Sequence, residues 1–395
     1  MLRYPLARLD ADFLLAEAER QTGLTDWGQD LTFRAGLDKL LEAVEAMDCA
    51  PQLREPVAQE VLGLLAVRLR FRQDEKQHPE ILAGKIERPL IIIGMPRTGT
   101  TWLHDLLSLD PANRTPRAWE VAMPWPAPEA ATFDSDPRIA LSEQAWAAVS
   151  AAAPELATMH RVSATSAEEC NTILKYHFSS NNFWGVYSVP LFTDWTLTER
   201  MEGMFAAHRR FLQQLQWKGP SGRWLLKSPP HLLELDALVE AYPDACLVQT
   251  HRDPEKIIVS TASLLRTVRL ASVGDIPELT DKKALARAVL KVYGTAFERA
   301  TRSRERPQVD QRVIDIAYRD TVSDPIGVVR RIYARFDLPF TADYQARLEA
   351  HIAAPRSEGH GAHKYSLEEY GVDTFDLPHQ FPAYRSRFGD LLQDS

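Results

Sequence analysis

The segment Pro89–Leu107, PLIIIGMPRTGTTWLHDLL, limits the possible folds of this chain more than any other segment. Residues 91–93 are three consecutive isoleucines, which is typical of a central parallel strand covered on both faces. Gly94 and Gly99 bracket the turn that follows, and a helix is predicted to begin near Thr100. Backbone amides at such a helix N-terminus favour a phosphate, because the helix dipole adds partial positive charge there. The segment therefore predicts a buried strand, an anion-binding turn and a helix.

The side chains of this turn restrict the anion that it can hold. The two glycines have the spacing of the ATP-binding loop GxxxxGK[ST], but Thr100 stands where that loop requires a lysine. This difference disfavours an ordinary ATPase or kinase. Arg97 supplies a full positive charge inside the turn, and the hydroxyls of Thr100 and Thr101 follow the second glycine. The turn is thus suited to a shorter anion that protein groups hold directly, with no metal required.

Length and charge exclude several classes of protein. The 395 residues allow one large α/β domain with extensions, or two domains. The net charge of −8 argues against a general nucleic-acid binder. No apolar run approaches the about 20 residues that span a bilayer, and the start MLRYPLARLDADF has no hydrophobic signal core. We therefore expect a cytoplasmic enzyme without stable membrane insertion.

The cysteines predict neither a disulfide framework nor a zinc site. Cys49, Cys170 and Cys246 are odd in number and far apart, and they show no CxxC or histidine spacing. We interpret them as small core residues and expect no metal.

The chain divides into a helical N-terminal extension, residues 1–85, and an α/β domain, residues 86–395. The extension has apolar residues at helical spacing and no visible chemistry, so it is interpreted as packing helices, a cap or the surface of a homo-oligomer. Residues 115–137 are rich in proline and tryptophan and predict an irregular loop. Residues 139–217 predict a helical, aromatic-rich insertion, whose aromatic side chains either fill the core or line an apolar acceptor pocket.

Regular alternation of strands and helices returns in the second half of the chain. Strands are predicted at 224–227, 246–251 and 313–318, and helices follow the first two. This alternation predicts a parallel β-sheet flanked by helices, with a nucleotide at the carboxyl ends of the strands.

The letters PRTGTTW resemble the 5′-phosphosulfate loop of the sulfotransferases that use 3′-phosphoadenosine 5′-phosphosulfate (PAPS). The resemblance covers about residues 87–370 and implies the P-loop-like fold of that family, with PAPS as co-substrate. It also implies that a tryptophan here lies against the purine ring of the donor. The donor-binding residues that it assigns in this segment are Arg97, Thr98, Gly99, Thr100, Thr101 and Trp102.

Two later segments resemble the same family. Arg252 directly follows a predicted strand, and Ser260 lies eight residues later in a helix that Asp253 and Pro254 are predicted to start. This spacing resembles the 3′-phosphate site of sulfotransferases, and a guanidinium offers phosphate a planar fork of donors. The segment from Ile316 resembles the family's YEDL…DP sequence, although an arginine replaces its acidic residue, and implies that Tyr318 lies near the adenine.

Near the C-terminus, RSEGHGAHKYSLEEYGVD forms a basic segment that contains glycines. Sulfotransferases commonly close over the 3′-phosphate with such a loop at this point in the chain. The resemblance thus implies phosphate contacts for His363 and Lys364, against the alternative of a solvated loop.

Sulfuryl transfer also needs a group that accepts the proton of the acceptor hydroxyl. Glu120 ranks first, because carbohydrate- and tyrosine-modifying sulfotransferases carry a catalytic glutamate at a comparable separation from the phosphate loop. His231 ranks second, because cytosolic sulfotransferases place a catalytic histidine just after the equivalent strand. Lys227, at the end of that strand, either touches the bridging oxygen of the donor or pairs with Glu234.

The sequence thus predicts a PAPS-dependent sulfotransferase that acts on a hydroxyl of a small, apolar organic acceptor. Two alternatives stay open at this point. One is an ATP-dependent small-molecule kinase, and the other is a non-catalytic nucleotide-binding protein.

Overall fold

Five parallel strands form the central sheet, in the order β2-β3-β1-β4-β5. A computed structural model of the chain describes residues 7–152, 163–354, 367–372 and 375–393. The strand bounds are Leu90–Gly94 for β1, Asn113–Arg114 for β2, Arg223–Lys227 for β3, Cys246–His251 for β4 and Val313–Ala317 for β5. The α/β fold with a parallel sheet is as predicted. The last strand ends one residue earlier than expected, because Tyr318 begins a helix.

The central strand β1 is covered on both faces, as its β-branched sequence predicts. Leu90 and Ile92 pack into a cluster that includes Leu103 and Val328 from two helices on one face. Ile91 and Ile93 pack into the larger cluster on the other face, which includes side chains of the N-terminal helices. Successive side chains of a strand point to opposite faces, so a fully buried strand is apolar at every position.

Helices surround the sheet and make up most of the remaining structure. In the N-terminal region they span Ala11–Thr22, Phe33–Glu45, Ala50–Gln77 and Glu80–Ala83. Between β1 and β3 they span Thr100–Ser108, Ala118–Ala122, Pro137–Ala152, Cys170–Leu174, Asn182–Tyr187, Pro190–Thr198 and Met204–Lys218. After β3 they span Leu235–Ala241, Pro254–Val273, Pro277–Thr280, Lys282–Ser303, Pro307–Asp310, Tyr318–Ser323, Pro325–Arg335, Ala342–Ala353 and Pro382–Leu392.

The predicted N-terminal helices pack into the main core. Leu37, Leu40 and Val44 from the helix Phe33–Glu45 are fully buried in the same cluster as Ile93. The domain boundary near residue 85 and a role for these helices in a homo-oligomer stay predictions.

The aromatic-rich segment contributes mainly to the core. Phe178, Phe183 and Phe192 are buried, and the first two rings stack with centroids 6.2 Å apart. Trp184 and Tyr187 are buried in the same cluster.

The prediction of an irregular loop over residues 115–137 is wrong at Ala118–Ala122, which forms a short helix. Glu120 stabilises the N-terminus of this helix, because its Oε1 accepts a hydrogen bond from the backbone N–H of Arg117 at 2.9 Å. A glutamate at the third position satisfies an otherwise unpaired donor at the helix N-terminus.

A polar network fastens the C-terminal helix Pro382–Leu392 to the sheet. His251 Nδ1 and the Tyr384 hydroxyl are 2.8 Å apart, and His251 Nε2 and Asp315 Oδ1 are 2.7 Å apart. Arg304 Nη2 donates to the other oxygen of Asp315 at 2.9 Å.

None of the helices in the described ranges combines the length and the apolar character that crossing a bilayer requires.

Candidate functional site

The turn between β1 and the helix Thr100–Ser108 has the backbone form of an anion-binding loop. Arg97 has a φ of 67° and Gly99 a φ of 85°, both in the left-handed region. A Cβ on Gly99 would lie 3.2 Å from Cδ2 of Tyr318, so the close approach of that ring also favours glycine. The first amides of the helix have no acceptor within the helix itself, and they face the end of the turn.

Side chains beneath this loop hold it against β4. A Cβ on Gly94 would lie 2.1 Å from Thr250 Oγ1, a distance that no side chain tolerates. Thr98 Oγ1 donates to the Met95 carbonyl at 2.6 Å and lies 2.6 Å from Thr250 Oγ1. The Thr98 hydroxyl therefore makes its hydrogen bonds within the loop and to β4, which leaves the backbone N–H of Thr98 as its remaining donor. Sequence reasoning missed Thr250, since no local pattern marks it.

The structure brings the second predicted segment directly onto this loop. The helix Pro254–Val273 begins where expected, with Asp253 Oδ1 accepting from the N–H of Glu255 at 3.1 Å. Ser260 lies on this helix, and its Oγ accepts a hydrogen bond from Arg97 Nε at 2.9 Å. Arg252 Nη1 donates to the carbonyl of Arg97 at 3.0 Å. Two cationic side chains from separate segments therefore lie at the same edge of the sheet.

The two predicted adenine neighbours are both partly exposed. The Tyr318 ring lies under the Arg252 guanidinium, whose central carbon is 4.0 Å from the ring centroid. Trp102 stacks on His351, with centroids 5.4 Å apart and an angle of 23° between the planes. His351 therefore covers part of the tryptophan.

Lys227 ends β3, next to β1 in the sheet, and is buried. Its Nζ forms an ion pair with Glu169, whose side chain is 30% exposed. The expected alternative, a pair with Glu234, is wrong, because Glu234 pairs with Arg299 at 3.0 Å. Sequence reasoning missed Glu169, because it lies 58 residues before its partner and belongs to no recognisable motif.

Glu120 is fully buried rather than exposed in a loop. Its Oε2 accepts from Arg114 Nη2 at 3.1 Å, and its other oxygen caps the short helix. Burial raises the pKa of the Glu120 carboxyl, and the Arg114 guanidinium opposes that shift. Both carboxylate oxygens are thus engaged by the protein.

His231 is also buried, in the 3-10 helix Pro229–Glu234 that follows β3. Its ring lies 5.4 Å from the Phe205 ring and 6.0 Å from the His208 ring, measured between centroids. Burial lowers the pKa of His231 well below its usual value. The predicted phosphate contacts His363 and Lys364 lie outside the described residues.

A parallel sheet with an anion-binding turn at its central strand, and with cationic side chains at the carboxyl ends of its strands, defines a P-loop-like class of protein. Residues 89–342 match the sequence profile of the Sulfotransferase family, and the chain belongs to that family. It is a sulfotransferase, and the family implies a sulfate donor as its co-substrate.

Solved structures and curated relatives agree with this assignment. The crystal structure of sulfotransferase STF9 from Mycobacterium avium is similar with a TM-score of 0.86 and 29% identity, covering 100% of this chain and 98% of that one. Sulfotransferase STF1 from Mycobacterium tuberculosis H37Rv is similar with a TM-score of 0.78 and 29% identity, covering 97% and 99%. Omega-hydroxy-beta-dihydromenaquinone-9 sulfotransferase Stf3 from Mycobacterium bovis is 24% identical over 298 residues, which are 72% of this chain and 71% of that protein.

Proposed function

We propose that this sulfotransferase moves a sulfuryl group from PAPS to a hydroxyl of a small, apolar organic acceptor and releases adenosine 3′,5′-bisphosphate. The observation that carries the proposal is the contact between the two anion-binding segments. The hydrogen bond from Arg97 to Ser260 and the one from Arg252 to the Arg97 carbonyl join them into one surface. A donor with phosphates at two positions of its ribose fits a surface with cationic groups from two segments.

In this proposal the loop after β1 and the segment that contains Arg252 and Ser260 each bind one end of the donor. Arg97 and the amides of residues 98–101 hold the 5′-phosphosulfate, while Arg252 and Ser260 hold the 3′-phosphate. Tyr318 and Trp102 flank the purine, and stacking on an aromatic face contributes about 1–3 kcal/mol. His363 and Lys364 stay proposed contacts of the 3′-phosphate.

The transfer step breaks the bond between sulfur and the bridging oxygen of the 5′-phosphate, and it forms a bond between sulfur and the acceptor oxygen. The electron pair of the broken bond stays on the phosphate, and the acceptor hydroxyl gives its proton to a base. The protein must hold donor and acceptor in line and neutralise the charge that develops on the leaving bisphosphate. Arg97 and Lys227 are the cationic groups proposed for this second task.

Three residues are candidates for the base. Glu120 and His231 follow from the family resemblance, and Glu169 follows from the structure. We favour Glu169, because its carboxylate contacts Lys227 Nζ and its side chain is partly open to solvent. Glu120 is fully buried and binds Arg114, while His231 is buried among aromatic rings. A base must come within hydrogen-bond reach of the acceptor hydroxyl, although a structure without substrate can show longer contacts than the working complex.

The acceptor is proposed to be a hydroxyl on an apolar, lipid-like molecule. The name of the relative Stf3 describes it as acting on an omega-hydroxylated dihydromenaquinone. The family membership disfavours the two alternatives considered at the outset, an ATP-dependent kinase and a non-catalytic nucleotide-binding protein.

Incubation of the full chain with PAPS labelled in its sulfate tests the proposal. The acceptors are an omega-hydroxylated prenyl quinone, a long-chain primary alcohol and a phenol, and the products are separated and counted. We expect label in the apolar alcohols, with one adenosine 3′,5′-bisphosphate released for each sulfate transferred. Release of bisphosphate without any labelled organic product would contradict the assigned acceptor class. Failure to bind or cleave PAPS at all would contradict the donor.

A further inference from the structure

Three potential metal ligands from distant parts of the sequence meet in the interior, beside β3. Cys170 begins the helix Cys170–Leu174, His208 lies on the helix Met204–Lys218, and His231 lies in the 3-10 helix Pro229–Glu234. One ligand atom from each residue lies within 4.8 Å of the other two, and all three residues are buried. No local pattern predicts this group, because its members lie 38 and 23 positions apart along the chain.

The ring nitrogens of this cluster lack the partners that buried polar groups normally have. Neither ring nitrogen of His231 forms a hydrogen bond within the described part of the chain, and the same holds for His208 Nε2. The exposed fractions of His208 and His231 are both 1%, and that of Cys170 is 0%. An unsatisfied polar group at such depth costs free energy, and a bound metal ion would remove that cost for the nitrogens that coordinate it.

The second ring nitrogen of His208, Nδ1, has a hydrogen-bond partner that fixes the orientation of the ring. Its Nδ1 lies 2.6 Å from the hydroxyl of Tyr242, which is itself buried. A ring that is held through one nitrogen has a fixed orientation, and its second nitrogen is directed at the ligand position. In metal sites, histidine ligands almost always have such a partner.

We propose that Cys170 Sγ, His208 and His231 form a binding site for a zinc ion. One thiolate and two imidazoles are the ligand set that Zn²⁺ prefers, at about 2.3 Å for sulfur and about 2.0–2.1 Å for nitrogen. Tetrahedral coordination at these lengths puts the ligand atoms about 3.3–3.6 Å apart, so small side-chain rotations close the site. A small cavity lined in part by Met204 and His231 lies beside one of the three ligands.

A thiol that coordinates zinc is deprotonated, so zinc binding at Cys170 would release the proton of that thiol.

The proposed zinc site would fix the segment that follows Lys227 to two helices. It does not depend on the identity of the sulfate donor or of the acceptor. It does bear on the choice of base, because the second ring nitrogen of a zinc-bound His231 carries a proton and cannot accept another. The two carboxylates then remain as candidates.

Metal content of the untagged full chain tests this site. The protein is expressed in zinc-supplemented medium, purified without chelators, dialysed, and analysed by inductively coupled plasma mass spectrometry. We expect about one zinc per chain, because the three ligands form a single site. Cys170→Ser and His208→Gln should lose this zinc, and Tyr242→Phe should weaken retention about 10–100-fold in a chelator competition. Circular dichroism verifies that each variant is folded.

Cys246→Ser and Cys49→Ser are the matched controls, since both thiols are buried and, within the described residues, neither belongs to a group of potential metal ligands. Both should retain zinc. Cobalt-loaded wild-type protein should show a thiolate-to-cobalt charge-transfer band in the near ultraviolet, and Cys246→Ser should keep that band. A wild-type protein that carries only trace zinc and shows no such band with cobalt would overturn the proposal, whether or not the cluster variants fold.

Discussion

Arg97 Nε donates a hydrogen bond to Ser260 Oγ across 2.9 Å, and this contact joins the loop after β1 to the helix after β4. The two residues are 163 positions apart in sequence. Neighbouring parallel strands explain the contact, because β1 pairs with β4 and their carboxyl ends lie side by side. The loop after β1 and the predicted 3′-phosphate segment are therefore joined into one surface, and a shift of the loop would disturb the helix.

Ser260→Ala should weaken the binding of adenosine 3′,5′-bisphosphate about 10–100-fold. The substitution removes the acceptor for Arg97 and a proposed phosphate ligand, and hydrogen bonds to charged groups contribute about 1.5–3 kcal/mol. Isothermal titration calorimetry measures the effect. Ser263→Ala on the same buried helix is the control, and equal losses in the two variants would show that general damage to the helix is responsible.

Arg252→Ala should weaken the binding of nucleotides that carry a 3′-phosphate much more than the binding of nucleotides that lack one. We expect a large loss for adenosine 3′,5′-bisphosphate and little change for adenosine 5′-phosphosulfate, which has no 3′-phosphate. Arg252→Lys should recover only part of the loss, because an ammonium cannot offer the paired donors of a guanidinium. Competition against a fluorescent nucleotide reports both affinities. Equal losses for the two ligands would place Arg252 elsewhere than at the 3′-phosphate.

Glu169→Gln should leave nucleotide binding within about threefold of wild type and lower the transfer rate about 10²–10⁴-fold, the usual contribution of a general base. Single-turnover transfer of labelled sulfate separates the rate from binding. Glu120→Gln and His231→Ala are measured in parallel. If either of them abolishes transfer while Glu169→Gln remains active, then Glu169 is not the proton acceptor. Glu129→Gln, on an exposed carboxylate, should behave as wild type.

Gly99→Ala should destabilise the fold and impair donor binding together. Its φ of 85° disfavours an L side chain, and the added Cβ would press on the Tyr318 ring at 3.2 Å. We expect a loss of about 1–2 kcal/mol in the free energy of unfolding. Gly63→Ala is the opposite control, because nothing lies within 4 Å of its Cβ position in the helix Ala50–Gln77. That change should stabilise the protein by about 0.5–1 kcal/mol, as measured by urea denaturation.

The network around Asp315 predicts a dependence of stability on pH. Burial acts to raise the pKa of Asp315, but hydrogen bonds from His251 and Arg304 outweigh it and hold this pKa well below its usual value. A carboxyl with a depressed pKa contributes stability above its unfolded pKa of about 3.9, and this contribution is lost as the pH falls toward the folded value.

Asp315→Asn should therefore cost about 3 kcal/mol at pH 7, because the buried Arg304 would lose a charged partner. The difference from wild type should shrink below about pH 4. Urea denaturation across this range measures both values. Asp343→Asn removes an exposed pair with Arg347 and should change stability by less than about 0.5 kcal/mol. A constant difference between Asp315→Asn and wild type at all pH values would contradict the assigned pKa direction.

The parts of the fold that the sequence predicts are those that local patterns encode. The β-branched run of β1 and the Asp253-Pro254 helix start lie within a few residues of the features that cause them. The sequence does not predict the helix at Ala118–Ala122, because the prolines on both sides of it indicate a loop, while the capping contact of Glu120 depends on a single side chain.

Contacts between distant segments could not be predicted. The pair of Lys227 with Glu169, and the cluster of Cys170 with two histidines, arise from how helices pack on the sheet. No local periodicity or spacing encodes such contacts, so the sequence offers only the nearby Glu234 as a possible ion-pair partner for Lys227. The loop after β1 resembles a phosphate loop at the level of sequence because the residues that carry the resemblance lie within one turn.

Thermal unfolding with two competing ligands tests the central claim most directly. Adenosine 3′,5′-bisphosphate at about 100 times its Kd should add about 2.7 kcal/mol to the free energy of unfolding and raise the Tm by about 3 °C. ATP with magnesium at the same concentration should have a smaller effect, and Arg252→Ala should abolish the difference. A larger stabilisation by ATP with magnesium, unchanged in that variant, would contradict a site built for a 3′-phosphorylated sulfate donor.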